Sequence, residues 1–109
     1  MPELPPPDDL VIQRPPGAPQ QLILLFHGMG SSPRAMRELG ERLAISFPSA
    51  LVVAPRAPTP TPGSKGFQWF TFDGVTEDDR VARVAAAMPA FEACVARWQA
   101  EAGVQPAAT

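Results

Sequence analysis

Two apolar runs, Gln21-Leu-Ile-Leu-Leu-Phe26 and Ala50-Leu-Val-Val-Ala54, constrain this chain more than any other feature. Neither alternates polar with apolar residues. A strand with one wet face shows period two, so a continuous run predicts a strand covered on both faces, as in a parallel sheet. The stretch between the runs can supply the crossover helix. Ser32 offers an N-cap hydroxyl, Pro33 presets φ at the first helical position, and Met36, Leu39, Leu43 and Phe47 recur at three- and four-residue spacing. That pattern predicts an amphipathic helix ending near Pro48.

The connection from Arg56 to Gln68 is rich in Pro, Thr and Gly and reads as a long surface loop. A second helix follows. Thr76 and Asp79 match a capping box, and Glu77 and Asp78 add negative charge at the positive end of the helix dipole, features worth at most about 1 kcal/mol each. Val81, Val84, Met88, Phe91, Val95 and Trp98 form its apolar stripe, and Gly103 is placed to end it. Pro89 lies inside, where it removes one hydrogen bond and predicts a kink. The order strand, helix, strand, loop, helix predicts right-handed parallel crossovers and an α/β architecture. Only six residues follow Gly103, where another strand would normally begin, so the sequence reads as interrupted.

Residues 1–20 read as a proline-rich leader with a possible edge strand at Leu10-Val-Ile-Gln13, and residues 21–109 as a partial α/β domain. The 109 residues and 11.6 kDa suffice for one domain or part of one. A net charge of -2 gives no cationic footprint for a polyanion, which argues against nucleic acid as a partner. The single cysteine, Cys94, cannot form an internal disulfide, and the start carries neither a basic nor an apolar signal region, so a cytoplasmic location is the default expectation. The longest apolar run is far short of the roughly 20 residues that span a bilayer.

His27-Gly28-Met29-Gly30 follows the first buried run and precedes the first helix, so its small residues can bring backbone N–H groups close to a ligand. A dinucleotide fingerprint would need a glycine where Pro33 stands, and the Gly-Lys-Ser/Thr of a phosphate-binding loop is missing. Two readings stay open on these residues alone: an oxyanion loop donating the Met29 N–H, and a merely structural turn.

Taken together, Leu22-Ile-Leu-Leu-Phe-His-Gly-Met-Gly30, Ala50-Leu-Val-Val-Ala-Pro55, Gln68-Trp-Phe70 and Gly74-Val-Thr-Glu-Asp-Asp-Arg-Val-Ala-Arg83 resemble the phospholipase/carboxylesterase family, closest to its bacterial esterase branch. The resemblance implies an α/β-hydrolase fold, a Ser-Asp-His triad, and cleavage of small acyl esters or thioesters without a cofactor. It assigns one oxyanion donor to the backbone N–H of Met29, with Gly28, Gly30 and His27 shaping the loop. It places Trp69 near the acyl pocket, although an aromatic that merely packs the loop fits that position equally well. His27 is expected to be structural, because the family's triad histidine lies near the far carboxyl end.

The nucleophile of such enzymes sits in Gly-x-Ser-x-Gly at a strand-to-helix elbow. None of Ser31, Ser32, Ser46, Ser49 or Ser64 has glycines at both flanking positions. No catalytic residue is therefore expected in this chain, and losing a triad serine or histidine costs about 10⁶ in kcat. Cys94, mid-helix among Phe91, Val95 and Trp98, is expected to be a buried, inert thiol. Asp73, Glu77, Asp78 and Asp79 read as capping and solvated carboxylates, with no His or Cys cluster to suggest a metal. The expectation is thus the N-terminal portion of a serine carboxylesterase, inactive alone. The alternatives are a non-catalytic interaction module, self-associating through the sheet edge that an absent elbow strand would leave at Leu22 to Phe26, and the remnant of a disrupted gene.

Overall fold

The computed structural model describes residues 9–61, 66–70 and 76–109. Its centre is β3 (Ala50–Ala54), in which all five residues are buried. β1 (Leu10–Gln13) pairs antiparallel along one side of it, and β2 (Gln21–Leu24) pairs parallel along the other. A strand flanked on both edges and both faces has no solvated side, which is why β3 carries no polar residue. The β2 ladder continues one residue past the strand, where the Leu25 N–H donates to the Val53 carbonyl at 2.9 Å. On the other side of β2 no strand pairs among the described residues.

Part of the proline-rich N-terminal stretch thus belongs to the sheet. β1 carries a register shift between Val11 and Gln13, a device common on edge strands. The Gln13 side-chain amide donates to the Phe47 and Ala50 carbonyls, each at 2.9 Å, and so joins the edge strand to the start of β3.

A 3₁₀ turn at Pro33–Met36 leads into α1 (Arg37–Ser46). Pro33 begins the turn as expected, but Ser32 makes no side-chain capping bond. The expected stripe is also corrected: Leu39 and Phe47 are exposed, and the buried residue of α1 is Gly40. A Cβ there would collide with the Ile12 side chain, so the absence of a side chain is what lets helix and edge strand approach. Counting apolar side chains cannot find a contact made by a missing one.

The span from Arg56 to Gln68 is less irregular than expected. It contains a minimal antiparallel ladder, β4 (Thr59–Pro60) with β5 (Phe67–Gln68), and both Ala57 and Gln68 are buried.

α2 (Glu77–Ala102) begins with both bonds of the capping box: the Asp79 N–H donates to Thr76 Oγ1 at 3.2 Å and the Thr76 N–H to Asp79 Oδ2 at 3.4 Å. It continues through Pro89 and ends at Gly103, whose φ of 69° is left-handed and whose N–H donates to the Gln99 carbonyl at 2.8 Å. Of its expected stripe, Trp98 is buried, Phe91 and Val95 are half-buried, and the first half is exposed. Cys94, Trp98 and Ala102 join Leu22, Leu51 and Val53 in the core, whereas Val81 is 71% exposed and Val84 and Met88 are exposed as well. The lengths explain this, since a 26-residue helix runs about 39 Å and a five-residue strand about 17 Å. No helix among the described residues is long and apolar enough to cross a membrane.

Candidate active site

The end of β2 delivers the chain into a tight turn. The Ser31 N–H donates to the Gly28 carbonyl at 3.1 Å, Gly30 has a φ of 76°, and among the described residues no non-glycine has a positive φ. A left-handed residue at the third turn position only defines a type II turn, with Met29 at the second position. Gly30 is required there, because a side chain would be strained at that φ. The Gly30 N–H donates to the Phe67 carbonyl at 2.9 Å, and the Phe67 N–H returns a bond to the Ser31 carbonyl at 2.9 Å. β5 therefore clamps the far side of the turn.

His27 clamps the near side. It is 4% exposed, and its Nε2 accepts the Ala57 N–H at 3.0 Å. An accepting Nε2 leaves the ring proton on Nδ1, which donates to the Gly28 carbonyl at 2.8 Å. That carbonyl thus takes two bonds, from His27 and from Ser31. The Gly28 C=O and the Met29 N–H belong to one planar peptide unit, so fixing the first aims the second. Among the described residues, no acceptor takes the Met29 N–H. The arrangement can present one backbone donor, held rigid, to an oxygen from outside.

Trp69 lies beside this turn in an aromatic cluster. Its ring centroid is 5.7 Å from Phe26 and 6.0 Å from Phe91, both edge-to-face, and Phe26 and Phe91 are 4.8 Å apart. The half-buried indole lines two clefts. One, of about 300 Å³, lies between Arg56, Pro58 and the α2 residues Cys94 and Arg97, and the other is bordered by Phe70 and Arg83. Trp69 Nε1 is buried without a hydrogen-bond partner among the described residues. The Arg56 guanidinium covers the Phe67 ring at 4.4 Å, tying the start of this segment to β5.

Of the remaining candidates, Ser31 is itself the last residue of the turn and Ser32 follows it. Among the described residues no serine hydroxyl bonds to His27, the chain's single histidine, whose Nε2 lone pair is already engaged by Ala57. Ser31 bridges to Phe67 through its backbone, and Ser46 ends α1. Burial, reinforced by the Asp9 carboxylate and opposed by Arg97, pushes the Cys94 thiol up to about 11, so it stays protonated near neutral pH. Asp79 serves the helix cap and Asp78 is exposed. Ser64 and Asp73 lie outside the described residues, as does the Glu77 side chain.

Two residues prominent here, Asp9 and Gly66, have no local signature in the sequence. Asp9 is a buried carboxylate accepting three donors: the Arg56 N–H at 2.8 Å, Arg97 Nη2 at 3.1 Å and Trp98 Nε1 at 3.0 Å. Gly66 packs directly against the Gly30 backbone. An aspartate separated from three prolines by a second aspartate, and a glycine inside a Pro/Gly-rich stretch, carry no periodic signal.

The family model for Phospholipase/Carboxylesterase matches residues 7–109. The chain belongs to the phospholipase/carboxylesterase family. "Esterase YpfH" of Escherichia coli (strain K12) is 48% identical over 102 residues, covering 94% of this chain and 44% of that protein. The crystal structure of esterase PE8 superposes with a TM-score of 0.77 at 36% identity, covering 85% of this chain and 45% of that one. The chain therefore spans less than half the length of either relative. Within the family frame, the mixed three-stranded sheet with α1 and α2 is part of an α/β-hydrolase fold, and the His27–Ser31 turn stands at the C-terminal end of β2.

Proposed function

We propose that this chain supplies the oxyanion-binding part of a serine carboxylesterase acting on small acyl esters or thioesters, and that it carries none of the catalytic triad. The observation that carries the reading is the type II turn at residues 28–31, whose Met29 N–H has no acceptor among the described residues while its peptide plane is held by His27 and Ser31. A preorganised N–H of this kind stabilises charge developing on a carbonyl oxygen and is worth about 10² to 10³ in kcat. Gly28, Gly30 and His27 shape that turn, and Trp69, packed on Phe26 beside it, forms part of the acyl-pocket wall. A rigid donor without a nucleophile does not hydrolyse esters, because the missing attack is worth about 10⁶, far more than one hydrogen bond restores.

The experiment has two arms. The 109-residue chain should neither hydrolyse p-nitrophenyl butyrate above background nor take up a fluorophosphonate probe. A chimera in which it replaces the matching segment of the Escherichia coli relative should do both. Labelling of the isolated chain on one of its own side chains, or a folded but inert chimera, would count against the reading.

A second reading, an interaction module that self-associates, is favoured by one observation. β2 has no strand partner on its outer side among the described residues, and an apolar groove of about 420 Å³ runs beside it between Leu22, Leu24, Phe26, Phe91 and Val95. Unpaired N–H and C=O groups next to apolar side chains favour pairing with another strand. A concentration-independent monomer at micromolar concentration in light scattering would exclude this second reading.

A further inference from the structure

The buried Asp9 carboxylate and His27 engage consecutive peptides. Asp9 Oδ1 accepts the Arg56 N–H at 2.8 Å, and His27 Nε2 accepts the next one, Ala57, at 3.0 Å. Because each peptide unit is planar, two acceptors on neighbouring N–H groups fix the chain leaving β3 against rotation. The other oxygen of Asp9 is held by Arg97 and Trp98, so the carboxylate itself is anchored on the half of α2 that packs in the core. The Asp9 side chain is 2% exposed, which makes a carboxylate with fewer donors costly and this one well satisfied.

We propose that Asp9 is a positioning residue for the turn at residues 28–31, acting through the Arg56–Ala57 backbone and His27. The connection is continuous. Asp9 holds Arg56, which sets the Ala57 N–H; that N–H occupies His27 Nε2 and so places the ring proton on Nδ1. Nδ1–H then holds the Gly28 carbonyl, whose peptide plane carries the Met29 N–H. Without the Ala57 bond, only the Gly28 carbonyl favours the proton on Nδ1, and a ring that carries it on Nε2 cannot donate to Gly28. Asp9 thereby couples α2 to the turn although it lies 20 positions before Met29 in the sequence. The functional meaning rests on reading Met29 as an oxyanion donor, but the coupling itself does not.

Nitrogen-15 NMR of His27 and hydrogen exchange of the Ala57 amide test the coupling in the 109-residue chain. Asp9→Ala should shift His27 toward the Nε2–H tautomer and speed Ala57 exchange at least about tenfold more than that of the β3 amides. Trp98→Phe removes a donor from the same carboxylate but leaves the Arg56 bond. It should lower global stability and speed Ala57 and β3 exchange alike, with the tautomer unchanged. Asp9→Asn, nearly isosteric, has one carbonyl oxygen for two sets of donors and should show the same two changes to a smaller degree, which covers the case in which Asp9→Ala does not fold. An unchanged tautomer in the folded Asp9 variant, with Ala57 exchange rising only in step with β3, would overturn the proposal. The failure of Met29 as an oxyanion donor would appear separately, as a chimera whose kcat is indifferent to loss of the Met29 N–H.

Discussion

Gly66 meets Gly30 backbone to backbone: a Cβ on Gly66 would collide with the Gly30 carbonyl group and the Ser31 nitrogen. The two residues lie 36 positions apart, yet this contact seats β5 on the turn that carries Met29. A clash with backbone cannot be relieved by a rotamer change. Gly66→Ala should therefore cost about 1 to 3 kcal/mol, as overpacking typically does, and should shift the Gly30 and Ser31 amide resonances. Thermal melting and an amide correlation spectrum of the variant check this, and unchanged Gly30 and Ser31 signals would disprove the contact.

Gly40 offers a contrasting case. A Cβ there also overlaps a neighbour, but the neighbour is the tip of the Ile12 side chain. An off-rotamer Ile12 costs about 0.5 to 1.5 kcal/mol, and replacing glycine by alanine inside a helix returns up to about 1 kcal/mol. Gly40→Ala should consequently lie within about 1 kcal/mol of the parent in urea denaturation. A loss as large as that for Gly66→Ala would mean that α1 cannot give way at Ile12.

At the start of α2, the capping box holds a half-helix with little beneath it, since Val81, Val84 and Met88 are exposed. Thr76→Ala removes a cap worth about 1 kcal/mol. Because the residues it caps contribute little to the core, the loss should appear as local fraying: faster exchange of the amides at residues 79–84, with a melting temperature almost unchanged. A drop in melting temperature with uniform exchange would show instead that the first half of α2 unfolds with the core.

The Cys94 thiol predicts an alkaline loss of stability. Burial first, then the Asp9 carboxylate, raise it from 9.0 to about 11, with Arg97 opposing. A folded value above the unfolded one means that the folded state keeps its proton over a range where the unfolded chain has lost it. The contribution is therefore complete below about pH 9 and disappears as pH rises to about 11. Cys94→Ala should flatten the fall in denaturation midpoint across that window, and iodoacetamide should modify the native thiol far more slowly than the unfolded one at pH 8. Equal rates would place Cys94 in the solvent.

Much of this architecture was legible in the residues because its signals are periodic or local. Ala50-Leu-Val-Val-Ala54 reads as a doubly covered strand and is β3, Thr76 with Asp79 reads as a capping box and forms one, and Gly103 reads as a helix end and has the required φ. Contacts made by what a residue lacks, such as Gly40 against Ile12 and Gly66 against Gly30, leave no such trace. Asp9 was equally silent, since a carboxylate reaching donors 47, 88 and 89 positions away has no local pattern. The acceptor role of His27 toward Ala57, 30 positions away, likewise has no local pattern.

The Met29 N–H is the group on which the account depends, and one substitution isolates it. Proline suits the second position of a type II turn, where its preset φ is the one required, and it deletes the N–H. In the chimera with the Escherichia coli relative, Met29→Pro should lower kcat for p-nitrophenyl butyrate by about 10² to 10³ with KM changed little. A folded Met29→Pro chimera whose kcat stays within about twofold of the parent would contradict the account, because a donor that can be removed without slowing hydrolysis is not stabilising the oxyanion.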